Sequence, residues 1–249
     1  MQYTRGLISP GAWRAALDEK PSDAYTKLGL AQALIARAFE AGADAEDGWF
    51  EAELALLAEC AETLASIEGL EDLSNCDALH YGAAAARCAS RLEDLGDPML
   101  AISILSPAIA MLDERANRAG CAPCELFRDT STRSDGAAQP TAHAHRPDFE
   151  RLSLEDTEPG ELFARTFPLP AVSWQYMRAT LAAVNGSALL SAGDLDRALT
   201  SLSHAALLAM VGAPLDYTRT ADLSVAIGRR LEEALDLERA LEGDAAQDF

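Results

Sequence analysis

The chain has 249 residues, 49% of them hydrophobic, and a formal net charge of −20. This length is enough to bury a sizeable core, but the charge argues against direct binding of nucleic acid or anionic membranes, which bind mainly through Lys and Arg. The sequence contains no apolar run of the roughly 18 residues that a membrane span needs, and no signal-peptide pattern at its start. Five cysteines in a chain without an export signal predict reduced thiols. We therefore expect a cytoplasmic protein with one elongated helical domain or two small ones.

Three helices are predicted in the N-terminal part of the chain. Ser9 and Pro10 indicate the start of a short helix, because serine can cap a helix and proline is tolerated at its first position. Apolar residues recur with the helical period over 22–41, and Gly42 is expected to end that helix. A third helix over about 48–67 turns its leucines inward. Its other faces are expected to carry Glu51, Glu53, Glu59 and Glu62.

The interval from Phe39 to Ala86 is strongly acidic. It contains twelve Asp and Glu residues and no Lys or Arg. One interpretation is a solvated surface that keeps the protein soluble. The other is a docking surface for a basic partner, which leads to the hypothesis of an acidic decoy.

Two segments of the chain match each other around a Gly-Asp pair, at Gly96-Asp97 and Gly193-Asp194. Small residues at fixed offsets let a second helix approach closely, while the intervening leucines fill the seam. This pattern predicts two helical hairpins, one over about 75–117 and one over about 172–211. The matching residues are Ala89, Leu92, Ala101, Leu105 and Ala108 in the first copy, and Gly186, Leu189, Ala198, Leu202 and Ala205 in the second.

Between the two hairpins, the interval 120–170 has no helical periodicity and is rich in Pro, Gly, Ser, Thr and Asp. It carries Cys121, Cys124, His143 and His145, whose thiolates and imidazoles are the ligands that zinc prefers. The alternatives are plain loop cysteines or a thioredoxin-like redox site at the Cys-x-Pro-Cys sequence. We expect no other cofactor.

The C-terminal part is predicted to contain the second hairpin and a last helix over about 217–242 with one apolar side and one acidic side, suited to capping a helical stack. The predicted organisation is therefore N-terminal hairpins over 1–119, a flexible loop over 120–170, and a hairpin with a capping helix over 171–249.

The spacing within the two hairpins resembles the tetratricopeptide repeat. The resemblance implies an all-α fold in which antiparallel helical hairpins stack in a repeat-like array or bundle, interrupted by a long irregular insertion. It also implies a groove for a partner protein, lined by the first helix of each hairpin. The implied partner-binding residues are Ala86, Ser90, Glu93, Ala183, Ser187 and Leu190.

We predict a non-catalytic adaptor or regulator that binds another protein. Small side chains and a glutamate in the groove favour an apolar or amphipathic helical segment with basic flanks. The chain lacks a Gly-rich phosphate loop, a His-Glu-x-x-His helix and a Gly-x-Ser-x-Gly elbow, and His80 and His204 are interpreted as helix-packing residues. The alternative is an acidic decoy that occupies the basic site of a nucleic-acid-binding protein. An enzyme with a zinc-bearing loop is the third hypothesis.

Overall fold

The computed structural model describes residues 9–43, 49–118, 174–212 and 217–247. These parts are helical and contain no strand, which confirms the all-α prediction. A 3-10 turn, Leu70–Asp72, lies between the third and fourth of the α-helices in these ranges. The α-helices are α1 (Pro10–Glu19), α2 (Ala24–Ala43), α3 (Trp49–Ala65), α4 (Asn75–Asp94), α5 (Pro98–Arg118), α6 (Trp174–Ser191), α7 (Leu195–Gly212) and α8 (Tyr217–Gln247).

The helix boundaries agree with the predicted ones to within a few residues, apart from two extensions. Helix α2 continues through Gly42, and α8 continues past residue 242 to Gln247. The predicted insertion at 120–170 lies outside the described residues. None of the described helices is long and apolar enough to cross a membrane.

The two Gly-Asp pairs form the same tight connection. Gly96 and Gly193 have φ values of 84° and 81°, in the left-handed region that favours glycine. The amide of Asp97 donates to the Leu92 carbonyl at 2.8 Å, which is the hydrogen bond of a Schellman motif. The equivalent bond from Asp194 measures 2.9 Å. Each pair therefore ends one helix and starts the next, and the predicted α4–α5 and α6–α7 helix pairs are confirmed.

The helices on both sides of the interval 119–173 belong to one hydrophobic core. Helices α4 and α5 both contact α6, and α2 and α3 both contact α4. Helix α8 then packs on α6 and α7. The core runs without interruption from Trp13 in α1 to Ile227 in α8.

Asp23 lies directly before α2, and its carboxylate caps that helix. It accepts a hydrogen bond from the Thr26 amide at 3.0 Å and another from the Thr26 hydroxyl. The hydroxyl bond is the main cause that lowers the pKa of Asp23 below its ordinary value. The carboxylate therefore stabilises the fold above its ordinary pKa, and this contribution is lost as the pH falls through the lowered folded-state pKa.

We expect Asp23→Asn to lower stability by less than about 1 kcal/mol at neutral pH, because asparagine keeps a capping oxygen but loses the charge. The difference in Tm between the wild type and this variant should shrink as the pH falls from neutral towards 3. Thermal denaturation followed by circular dichroism measures it. A difference that stays constant over this range would show that the charge of Asp23 does not contribute.

Candidate functional site

The six residues predicted to line a partner groove lie inside the helical body. All six are buried, including the carboxylate of Glu93 and the hydroxyls of Ser90 and Ser187. The faces of α4 and α6 that carry them pack against neighbouring helices. A partner therefore reaches these residues only if the helices separate, and we place the candidate docking surface elsewhere.

Glu93 forms the centre of a polar cluster that joins α4, α6 and α8. Its Oε1 atom accepts hydrogen bonds from the Ser187 hydroxyl at 2.7 Å, the Ser191 hydroxyl at 2.8 Å and Arg230 Nη2 at 3.0 Å. Its Oε2 atom is buried and has no hydrogen-bond partner, and the same holds for Arg230 Nε. The ion pair joins α4 to α8, and the two serine hydroxyls add α6 to the same cluster.

A second buried ion pair joins α3 to α4. Arg91 donates to both oxygens of Glu53, at 2.5 and 2.9 Å, and the Glu53 side chain is fully buried. The guanidinium of Arg91 also lies 6.0 Å from the centre of the Phe39 ring. The prediction that Glu53 lies on an outer face of α3 was wrong, because Arg91 of the next helix binds the carboxylate in the interior.

The acidic interval 39–86 is less negative at the surface than its composition indicates. Glu40 pairs with Arg37 at 2.9 Å, and Glu59 pairs with Arg14 at 2.6 Å. Glu53 is neutralised by Arg91. The arginines that pair with these three carboxylates all lie outside the acidic interval. The docking surface for a basic partner is correspondingly smaller.

The predicted metal ligands Cys121, Cys124, His143 and His145 lie outside the described residues. Within the four described ranges, no three His, Cys, Asp or Glu side chains lie close enough together to hold a metal ion. His80 is buried, with Nδ1 3.1 Å from the side-chain amide of Gln32. The other helical histidine, His204, is exposed and was wrongly interpreted as a packing residue.

Two free thiols are buried between α3 and α4, at Cys60 and Cys88. The hydrogen bond between their side chains and their burial raise the pKa of Cys60 well above its ordinary value. The Cys88 thiol donates to the Leu57 carbonyl at 3.5 Å. Because the reactive species of a cysteine is the thiolate, Cys60 is a packing residue rather than a nucleophile.

An apolar groove of about 200 Å³ lies between α3 and α5. Its base is the buried side chain of Tyr81 from α4. Burial raises the pKa of Tyr81 to about 12, so the phenol is neutral at physiological pH. Glu62 is the one charged residue of the lining. The other lining residues are Ala58, Ala61, Leu64 and Ala65 of α3, and Leu100, Ser103, Ile104 and Pro107 of α5.

Side chains from two neighbouring helices, α2 and α5, bind the connection between α3 and α4. These bonds hold the α3 wall of the groove in place. Arg115 of α5 donates to the carbonyls of Leu70 at 3.0 Å and Leu73 at 2.6 Å. Lys27 of α2 donates to the Ser66 carbonyl at 2.6 Å. The groove is therefore bounded by helices that are tied together at one end.

The α5 wall is uncharged over 15 successive residues, 98–112, in a chain with 24% charged residues. Part of this run faces solvent, including Met99, which is 66% exposed, and Ser103. Depletion of charged residues is a feature of the core of protein interfaces. The uncharged run is visible in the sequence. The match between the two hairpins does not reveal it, because the run includes both buried and exposed positions of α5.

Comparison of the chain with protein-family models, curated proteins and solved structures gives no match. The functional assignment therefore rests on the groove between α3 and α5 and on the chemistry of its walls.

Proposed function

We propose that this protein is a non-catalytic adaptor that binds another protein through the groove between α3 and α5. The size of the groove carries this proposal. Pockets for cofactors and small molecules usually measure about 300–1,000 Å³, whereas a cavity of about 150 Å³ accommodates benzene. At about 200 Å³, the groove fits one large apolar side chain. In protein interfaces, a few buried side chains of this kind supply most of the binding energy.

The order of helix contacts supports a repeat-like arrangement for this adaptor. The pairs α2–α3, α4–α5 and α6–α7 follow one another, and each pair contacts the next. Helix α8 adds to the end of this series through α6 and α7. We propose a tetratricopeptide-like array in which the docking groove lies between the second helices of two successive pairs, α3 and α5.

The acidic decoy ranks second. Its main support, the acidic interval, is weakened by the ion pairs of Glu40, Glu53 and Glu59 with arginines from outside that interval. The acids that remain exposed away from the groove include Glu51 and Glu68. Under the decoy hypothesis these two residues contact the partner, whereas under the adaptor hypothesis they do not.

A groove-filling variant tests the adaptor. Ala65 is exposed and lines the groove, while Ala55 is exposed on the same helix but does not line it. Short peptides selected from a displayed library on the full chain provide the probe. We expect Ala65→Trp to weaken their binding by about tenfold or more, because burial of one large apolar side chain contributes about 1.5–3 kcal/mol. Ala55→Trp should bind as the wild type does. Fluorescence anisotropy gives both affinities.

The double variant Glu51→Lys/Glu68→Lys separates the two hypotheses. An adaptor keeps its peptide affinity in this variant, whereas a decoy loses its ligand. Selected peptides that bind Ala65→Trp as tightly as the wild type, or a selection that yields no saturable binder, would contradict the proposed groove.

A further inference from the structure

Helix α5 contains a proline in its middle, at a position that lines the groove. Pro107 has no amide hydrogen, so the helical hydrogen bond to the Ser103 carbonyl, one turn earlier, is missing. The neighbouring hydroxyls do not replace it. Ser103 Oγ donates to the Leu100 carbonyl at 2.7 Å, and Ser106 Oγ donates to the Ile102 carbonyl at 2.9 Å. The Ser103 carbonyl therefore lacks the amide donor that a regular helix supplies.

The α3 wall offers a carboxylate. Glu62 is exposed at the groove, and no ion pair joins it to any base in the described part of the chain. Glu59, one turn earlier on the same helix, is neutralised by Arg14. The opposite wall cannot supply a base either, because α5 has no charged residue between Asp97 and Asp113.

The groove therefore combines an apolar lining with one carboxylate, Glu62, and no cation. We propose that it recognises an apolar peptide segment that carries a Lys or Arg beside its anchor side chain. The alkyl stem of the base lies along the alanines of α3, and its charged head binds Glu62 and the Ser103 carbonyl. This inference rests on the proposed adaptor function and adds the chemistry by which the partner is chosen.

Peptide selection on the full chain tests the inference. We expect the peptides selected on the wild type to be enriched in Lys or Arg next to an apolar residue. Replacement of that base by norleucine should weaken binding to the wild type by about tenfold, since a charge-assisted hydrogen bond is lost. In Glu62→Gln the same replacement should weaken binding by less than about threefold, because the carboxylate is already absent. Glu51→Gln, an exposed acid of α3 outside the groove, is the matched control and should behave as the wild type.

Pro107→Ala provides a second variant that does not threaten the fold, because removal of a proline from inside a helix favours the helix. The new amide satisfies the Ser103 carbonyl, and we expect peptides with the base to bind about threefold more weakly. Peptides with norleucine should bind as before.

The outcomes separate this inference from the adaptor proposal. Suppose that Ala65→Trp abolishes binding of apolar peptides that show no enrichment in Lys or Arg. That result would overturn the inference and leave the adaptor proposal intact. A preference for Lys or Arg that survives Glu62→Gln would also overturn it. Peptides whose affinity is unchanged by both Ala65→Trp and Glu62→Gln would overturn both proposals.

Discussion

Replacement of Glu93 by alanine is expected to lower the free energy of unfolding by about 1–3 kcal/mol, because Arg230 Nη2 loses its buried acceptor while Nη1 keeps its ion pair with Glu233 at 2.8 Å. The Arg230 side chain is 15% exposed and reaches Glu93 at 3.0 Å. The hydroxyls of Ser187 and Ser191 also lose their acceptor. Urea denaturation of the full chain measures the loss.

A double-mutant cycle separates the ion pair from the rest of the cluster. Glu93→Leu combined with Arg230→Met should cost less than Arg230→Met alone, since that single change leaves the Glu93 carboxylate buried without a base. Arg239→Ala is the control, because its ion pair with Asp236 is exposed on both sides and should cost below about 0.5 kcal/mol. A loss of less than about 1 kcal/mol for Glu93→Ala would show that the cluster does not hold α4, α6 and α8 together.

Local patterns in the sequence were enough to predict the helices. Ser9 and Pro10 start α1 as expected, and the Ser9 hydroxyl accepts a hydrogen bond from the Ala12 amide at 3.3 Å. The Gly-Asp connections also follow from residues close together in the chain, because a left-handed glycine and a capping aspartate act within one turn. Such features depend little on the rest of the fold, so a single sequence is sufficient to find them.

The functional surface could not be predicted in the same way, because partners distant in sequence decide it. Glu93 is buried by Arg230, which lies 137 residues later in the chain. Glu53 is buried by Arg91 from the following helix. The groove itself needs α3 and α5 to lie side by side, and helical periodicity does not give that placement. A search for uncharged runs that include exposed positions would have directed attention to α5.

The contact between Gly186 of α6 and Leu202 of α7 gives the second large expected effect. A Cβ atom built on Gly186 would lie 2.6 Å from Leu202 Cγ and 3.1 Å from the Leu202 backbone nitrogen. The backbone of α7 cannot move away without shifting the whole helix, and α7 is also in contact with α8. We therefore expect Gly186→Ala to destabilise the fold by about 1–3 kcal/mol, although alanine is the better helix former.

Gly228 in α8 supplies the matched comparison, since it is also a helical glycine but has no atom within 4 Å of an added Cβ. Gly228→Ala should stabilise the fold by about 0.5–1 kcal/mol, because alanine reduces the entropy lost on folding without meeting a neighbour. The two variants carry the same chemical change, so the difference in their unfolding free energies isolates the contact between Gly186 and Leu202. Stabilisation by both variants would mean that helix propensity decides the outcome, and that the small residue before the second Gly-Asp turn is not required for close packing of the hairpin.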